Sequence, residues 1–185
     1  MTDFSIDKFK HGFGGVARPN LFRVTLAFPN EPPSEKYTIY CKGASVPTKR
    51  IASIQLHYMG RAIKYAGDTS YETWSVTIYN DIGFTIRKKL ERWAEIINGA
   101  RDNVSALFKS EYETEMLVEQ MNGRHEVIKT YRMIGCVPTD VGDAMELSWD
   151  PNNNAQEYRA TWEYDYWESD DTTRGSTKGG GSILF

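Results

Sequence analysis

Cysteine and histidine are scarce in this chain of 185 residues: Cys41 and Cys136, and His11, His57 and His125. Two thiols, both in apolar strand-like contexts, are too few for a disulfide framework, and they read as reduced thiols of a chain made in a cytoplasm. The histidines have no ligand spacing to one another or to a cysteine, so neither a zinc site nor any other metal or cofactor is expected. Long apolar runs are missing too. None is long enough to span a bilayer, and the opening "MTDFSIDKFKHGFGG" contains no stretch of signal-peptide length, so no membrane insertion is expected. An excess of positive charge is also lacking. The 22 Lys and Arg against 25 Asp and Glu leave a net charge of −3, which excludes an electrostatic grip on DNA by the chain as a whole.

Catalytic constellations are likewise wanting. Neither cysteine sits in a nucleophile elbow or at a helix start, and both read as buried thiols. "GFGG" at 12–15 lacks the preceding strand and the following Lys-Ser/Thr of a phosphate loop. No pair of carboxylates can be placed across a cleft, and the chain is not expected to be an enzyme.

What the sequence does contain is strand after strand. Phe22, Val24, Leu26 and Phe28 alternate with polar or small residues, the period-two pattern of a half-buried strand. Tyr37, Ile39 and Cys41 repeat it after the break at Pro32-Pro33. Ile54, Leu56 and Tyr58 predict a third strand, Ile63 and Tyr65 a short fourth, and Trp74, Val76 and Ile78 a fifth. The other face of that fifth strand is Thr73, Ser75 and Thr77. Thr114 to Gly135 reads as a long hairpin about Asn122-Gly123, a dipeptide suited to the positive φ angles of a tight turn. A last strand runs from Gln156 to Trp167. One segment departs from the pattern. Ile86, Leu90, Trp93, Ala94 and Ile97 recur at helical spacing, predicting an amphipathic helix over 84–98. Asn80 or Asp81 could cap it, and Gly99 could end it in the left-handed conformation.

The pattern makes a single domain over 1–168, with residues 1–16 as a flexible N-terminal arm and 169–185 as a Gly/Ser-rich tail. Charge is unevenly spread along it. From Asp140 to Asp171 there are ten Asp and Glu against Arg159 alone, whereas 84–101 carries Arg87, Lys88, Lys89, Arg92 and Arg101 against Glu91 and Glu95. Such asymmetry suits copies that meet acidic surface on basic surface, and it equally suits two solvated faces.

A set of short strings stands in a fixed order along the chain: "ARPNLF" (17–22), "CKGASVP" (41–47), "GRAIKYAGD" (60–68), "WSVTIYND" (74–81), "VPTDVGDAMELSWDPNNNAQEY" (137–158) and "YDYWE" (164–168). Together they resemble the tail tube proteins of contractile-tailed, myovirus-type phages, from about Ala17 to Glu168. The resemblance implies a mainly β fold: a β-sandwich or half-barrel with one flanking helix and a long hairpin, closing into a barrel only in a ring. It further implies six-membered rings stacked inside a sheath, with baseplate and tail-terminator proteins as partners. The lumen would pass double-stranded DNA without specific binding, in a virion assembled in a host cytoplasm. The alternatives that keep the fold are a tube initiator or terminator, or the tube of a contractile injection or type VI-like system carrying protein cargo.

In such a ring, the two apolar faces of the 114–135 hairpin could not both stay wet. Met116 and Val118 would pack within the subunit, and Leu117 and Met121, with Asn122 and Gly123 at the turn, would meet a neighbour. A DNA conduit should not bind phosphates, so its wall should be neutral or acidic. Thr73, Ser75 and Thr77 are the expected lumen-facing residues. Arg23 and Lys64, on polar strand faces, would then have to point outward or pair with carboxylates.

Overall fold

A computed structural model describes residues 6–12, 15–143, 147–149 and 154–170. The alternation of Trp74, Val76 and Ile78 produces β5 (Trp74–Tyr79), whose three apolar side chains are fully buried. Its partner on one side is β8 (Glu157–Glu163), which buries Tyr158, Ala160 and Trp162 in the same register. On the other side lies β2 (Cys41–Ala44). Beyond β8 come the hairpin strands β7 (Val127–Asp140) and β6 (Thr114–Met121), and then β1 (Phe22–Thr25). A short β9 (Tyr166–Ser169) adds to β7 beside β8. The result is one seven-stranded antiparallel sheet in the order β1-β6-β7-β8-β5-β2. The remaining strands, β3 (Lys49–Tyr58) and β4 (Arg61–Tyr71), pair only with each other.

The sheet wraps one apolar core, and helix α2 (Thr85–Ile97) covers it with Ile86, Leu90 and Trp93. Edge strands β1 and β2 curl toward each other until both line one groove. This is the expected half-barrel with a flanking helix. A seven-residue helix, α1 (Ile6–Gly12), occupies part of the expected N-terminal arm.

The last strand, expected unbroken from Gln156 to Trp167, is interrupted at Tyr164 and Asp165 between β8 and β9, and three other local expectations are revised. Tyr37, Ile39 and Cys41 do not alternate along a strand. Residues Glu35–Tyr40 form a 3-10 helix capped by the Ser34 hydroxyl, which turns Tyr37 into the core and leaves Ile39 exposed. At the β6–β7 turn the positive φ falls on His125, not on Gly123. Asn122 holds a wider loop there, its side-chain oxygen accepting from the amides of Arg124 (2.8 Å) and Glu126 (3.0 Å). Helix α2 ends at Asn98 in extended backbone, so Gly99 supplies no left-handed cap.

Candidate assembly surface

The β3–β4 hairpin is where local chemistry and burial disagree. Its two strands run 10 and 11 residues with the pairs Ile54–Tyr65, Leu56–Ile63 and Tyr58–Arg61. Directly paired residues share a face, so Ile54, Leu56, Tyr58, Ile63 and Tyr65 form one apolar strip. The alternate pairs, Ser53–Ala66, Gln55–Lys64 and His57–Ala62, make the opposite face polar. A strip of that kind is the signature of a sheet packed on one side. Yet Leu56 remains 54% exposed and Ile63 47%. An isolated two-stranded hairpin is marginal in water. Covering each large aliphatic side chain would stabilise it by about 1.5–3 kcal/mol.

Local backbone explains how the hairpin forms. Met59 (φ 47°) and Gly60 (φ 75°) both take left-handed angles between Tyr58 and Arg61, a two-residue turn whose twist matches the strands. Met-Gly thus does the job expected of Asn122-Gly123. A bulge near Ala52 bends the root, where a Cβ on Gly67 would press on the Ile54 side chain at 3.1 Å and the Ala52 carbonyl at 3.2 Å. The sequence showed both strands by their alternation. It could not show that the other described residues leave them uncovered, although the unbroken alternation on either side of Met59-Gly60 was a usable signal of one long hairpin.

The residues expected at interfaces lie elsewhere. Leu117 and Met121 are half-buried on the outer face of β6, opposite the buried Met116 and Val118. Leu117 borders a hollow of about 220 Å³ with Arg132 and Glu168. Ion pairs surround it: Arg132 holds Glu115, and Arg23 holds Glu119 at 2.5 Å and Glu35 at 3.1 Å. Asn122 and Gly123 sit in the loop beyond. Arg23, one of the two cations that stood against a neutral lumen, is therefore neutralised. Lys64, the other, lies on the polar face of β3–β4 with no ion pair among the described residues.

Thr73 is exposed just before β5, while Ser75 and Thr77 are half-buried on its outer face, opposite Thr161 and Arg159. Ser75 is also tied to the β2–β3 connection, its amide donating to Ser45 Oγ at 3.1 Å. The polar face of β5 is thus continuous with charged side chains of β8. Trp162 is core, whereas Trp149 is fully exposed.

Among the described residues, members of the acidic and basic stretches find ion-pair partners outside the opposite stretch. Lys42 pairs with Glu157 at 2.5 Å, Lys109 with Asp165 at 2.5 Å, and Lys89 with Glu31. Hydrogen bonding to Lys89 holds the Glu31 carboxyl below its usual range. Lys88 and Arg92 stay exposed on α2. Burial pushes the Cys41 and Cys136 thiols up to about 12, which suppresses the reactive thiolate. No cluster of three or more metal-ligating side chains occurs among the described residues, and no helix among them is long and apolar enough to cross a membrane.

This architecture has counterparts. The chain is similar to a chain in the cryo-EM structure of an anti-feeding prophage baseplate, with a TM-score of 0.62 at 14% identity over 84% of this chain and 96% of that one. It is also similar to a chain in the sheath-tube complex of an extracellular contractile injection system, with a TM-score of 0.61 at 13% identity over 90% and 98% of the two. At such identities the likeness is one of fold. Sequence carries the assignment further. The chain is 33% identical to the tail tube protein gp19 of Enterobacteria phage T4 over 156 residues, 84% of this chain and 93% of that protein. It is 27% identical over 133 residues to the tail tube protein of Serratia phage KSP90, covering 70% and 75% of the two. The family model described as phage tail tube protein matches residues 17–170, and with that match the chain belongs to the phage tail tube protein family, a structural component of the virion.

Proposed function

We propose that the chain is the repeating subunit of the tube of a contractile phage tail, and that six copies close into a ring whose stacked repeats enclose a lumen for the outgoing genome. The observation that carries this reading is the β3–β4 hairpin, amphipathic from Ser53 to Ala66 and left exposed by the described residues of its own subunit. In a ring, its apolar strip packs on a neighbouring copy. Its polar face, with Gln55, His57 and Lys64, turns to water. Closing the sheet from subunit to subunit also removes the unpaired edges of β1, β2 and the hairpin, which would otherwise invite uncontrolled pairing. Leu117, Met121, Asn122 and Gly123 are assigned to a second contact between subunits, and Thr73, Ser75 and Thr77 to the lumen wall. Sheath, baseplate and terminator proteins are the outer and end partners, and the chain performs no catalysis.

Electron microscopy of the purified protein tests this reading. Long hollow tubes of uniform width are the expected product. Single rings that do not stack would identify an initiator or terminator instead, and featureless monomers at high concentration, even with sheath and baseplate supplied, would overturn the assignment. DNA passing through the tube separates a phage tail from an injection device with protein cargo.

A further inference from the structure

The seam of the half-barrel is open. Between edge strands β1 and β2 lies a groove of about 550 Å³, walled by Pro19, Phe22, Ala44, Val46, Val118 and Tyr131. Phe22, Ala44 and Tyr131 are only partly buried and pack on the rim of the core, so the groove continues the core outward. The charged groups at its edge are already engaged. Glu119 is held by Arg23 at 2.5 Å and Lys42 by Glu157 at 2.5 Å. The groove therefore suits an apolar occupant better than an ionic one.

We propose that this groove is the docking site of the chain's own C-terminal residues Ile183, Leu184 and Phe185. Residues 171–185 lie outside those described, and the family match stops at 170. The placement rests on where the described chain ends. Ser169 on β9 is the direct cross-strand partner of Tyr131, which forms one wall of the groove. Asp170 then accepts a hydrogen bond from the Thr130 amide at 3.0 Å. The tail thus sets out from the strand adjoining the groove, about 4.8 Å from its wall. Twelve polar and glycine residues, 171–182, separate this point from the apolar triplet. That stretch reaches at most roughly 40 Å, ample for a site so near, and the tether presents the triplet at millimolar effective concentration. Three large apolar residues match a groove of this size, since clefts of about 300–1,000 Å³ take ligands of that bulk. The other apolar segments fit less well. The β3–β4 strip is two strands wide with five large side chains. The apolar side chains of α1, Ile6 and Phe9, stand exposed at 72% and 65% and are not in the groove.

The test is a crosslink in the full chain. Val46→Cys combined with Leu184→Cys, oxidised under mild conditions, should join within one chain, at a rate independent of protein concentration. This pair and its control are built in a Cys41→Ser, Cys136→Ala background, so that only the introduced thiols can react. The control pair Ile82→Cys with Leu184→Cys, on the exposed approach to α2, should react at least tenfold more slowly. A second measurement does not depend on the new cysteines. Removing residues 171–185 should shift the NMR resonances of Ala44, Val118 and Tyr131, and adding the peptide Gly-Gly-Gly-Ser-Ile-Leu-Phe to the shortened chain should move them back. Equal rates for the two cysteine pairs, crosslinks only between chains, or groove resonances unmoved by the deletion would each overturn the proposal.

Discussion

Asp81 accepts hydrogen bonds from the Thr85 amide at 2.7 Å and the Thr85 hydroxyl at 2.6 Å, closing the turn that leads into α2. Phe84 takes a left-handed φ of 52° there, a conformation that a bulky residue adopts only when its surroundings fix it. The bonds from Thr85 favour the charged carboxylate and hold it below the usual range. A depressed folded-state pKa contributes stability above the ordinary carboxylate value, and that contribution is lost as pH falls through the folded value. Asp81→Ala should therefore lower the melting temperature at pH 7, with the gap to the parent narrowing well below pH of about 4. An equal gap at both pH values would contradict this assignment. Neither Asn80 nor Asp81, the two candidates in the sequence, is the N-cap: Phe84 holds that position with no side-chain cap bond, and Asp81, three residues before Phe84, ties down the Thr85 amide. Leu90 is fully buried where α2 meets the sheet. Leu90→Ala should cost about 2–5 kcal/mol of stability in denaturant titrations, through lost transfer energy and the cavity left behind.

Among the elements, those that bury one face regularly were the most legible. Trp74, Val76 and Ile78 on β5, and Ile86, Leu90 and Trp93 on α2, declare their period because a single core decides all three positions. Tyr37, Ile39 and Cys41 misled because six residues of 3-10 helix are too few for period two to be told from period three. There the Ser34 cap and the edge-on contact of Tyr37 with Phe28, 5.3 Å between ring centres, decide the conformation. The β3–β4 hairpin is the opposite case. Its strands were legible, while the exposure of its apolar strip among the described residues was not, since burial against another copy leaves the same alternation as burial within one. Replacing Leu56 and Ile63 together by Asp should leave the circular dichroism and melting of the subunit nearly unchanged, because these side chains cover little of their own core. The same variant should form no tubes when examined by sedimentation. Normal tubes from it would remove the hairpin from the interface. Leu117→Asp with Met121→Asp is likewise predicted to stay folded and unassembled, and tubes from that variant would confine the contact to β3–β4.

For the molecule as a whole, internal ion pairing matters more than the net charge of −3. Arg23, Lys42, Lys89, Lys109 and Arg132 are all bound to carboxylates of the same chain. Each such surface pair adds roughly 0–1 kcal/mol to stability, but together they remove cations that would hold a passing duplex. Assembled tubes should accordingly bind DNA weakly and with little dependence on salt. A steep fall of affinity with rising salt would show phosphate contacts along the wall, and Lys64 and Arg159 would be the first residues to replace. In the proposed ring of six, the exposed hairpin of each subunit is completed by another copy. A cryo-EM reconstruction of the purified protein's assemblies measures this directly. Stacked rings of six are expected, with Ile54, Leu56 and Ile63 buried against a neighbour while Gln55 and His57 face water. Rings of another order, or a hairpin whose apolar strip lies open to solvent in the assembled tube, would contradict that arrangement.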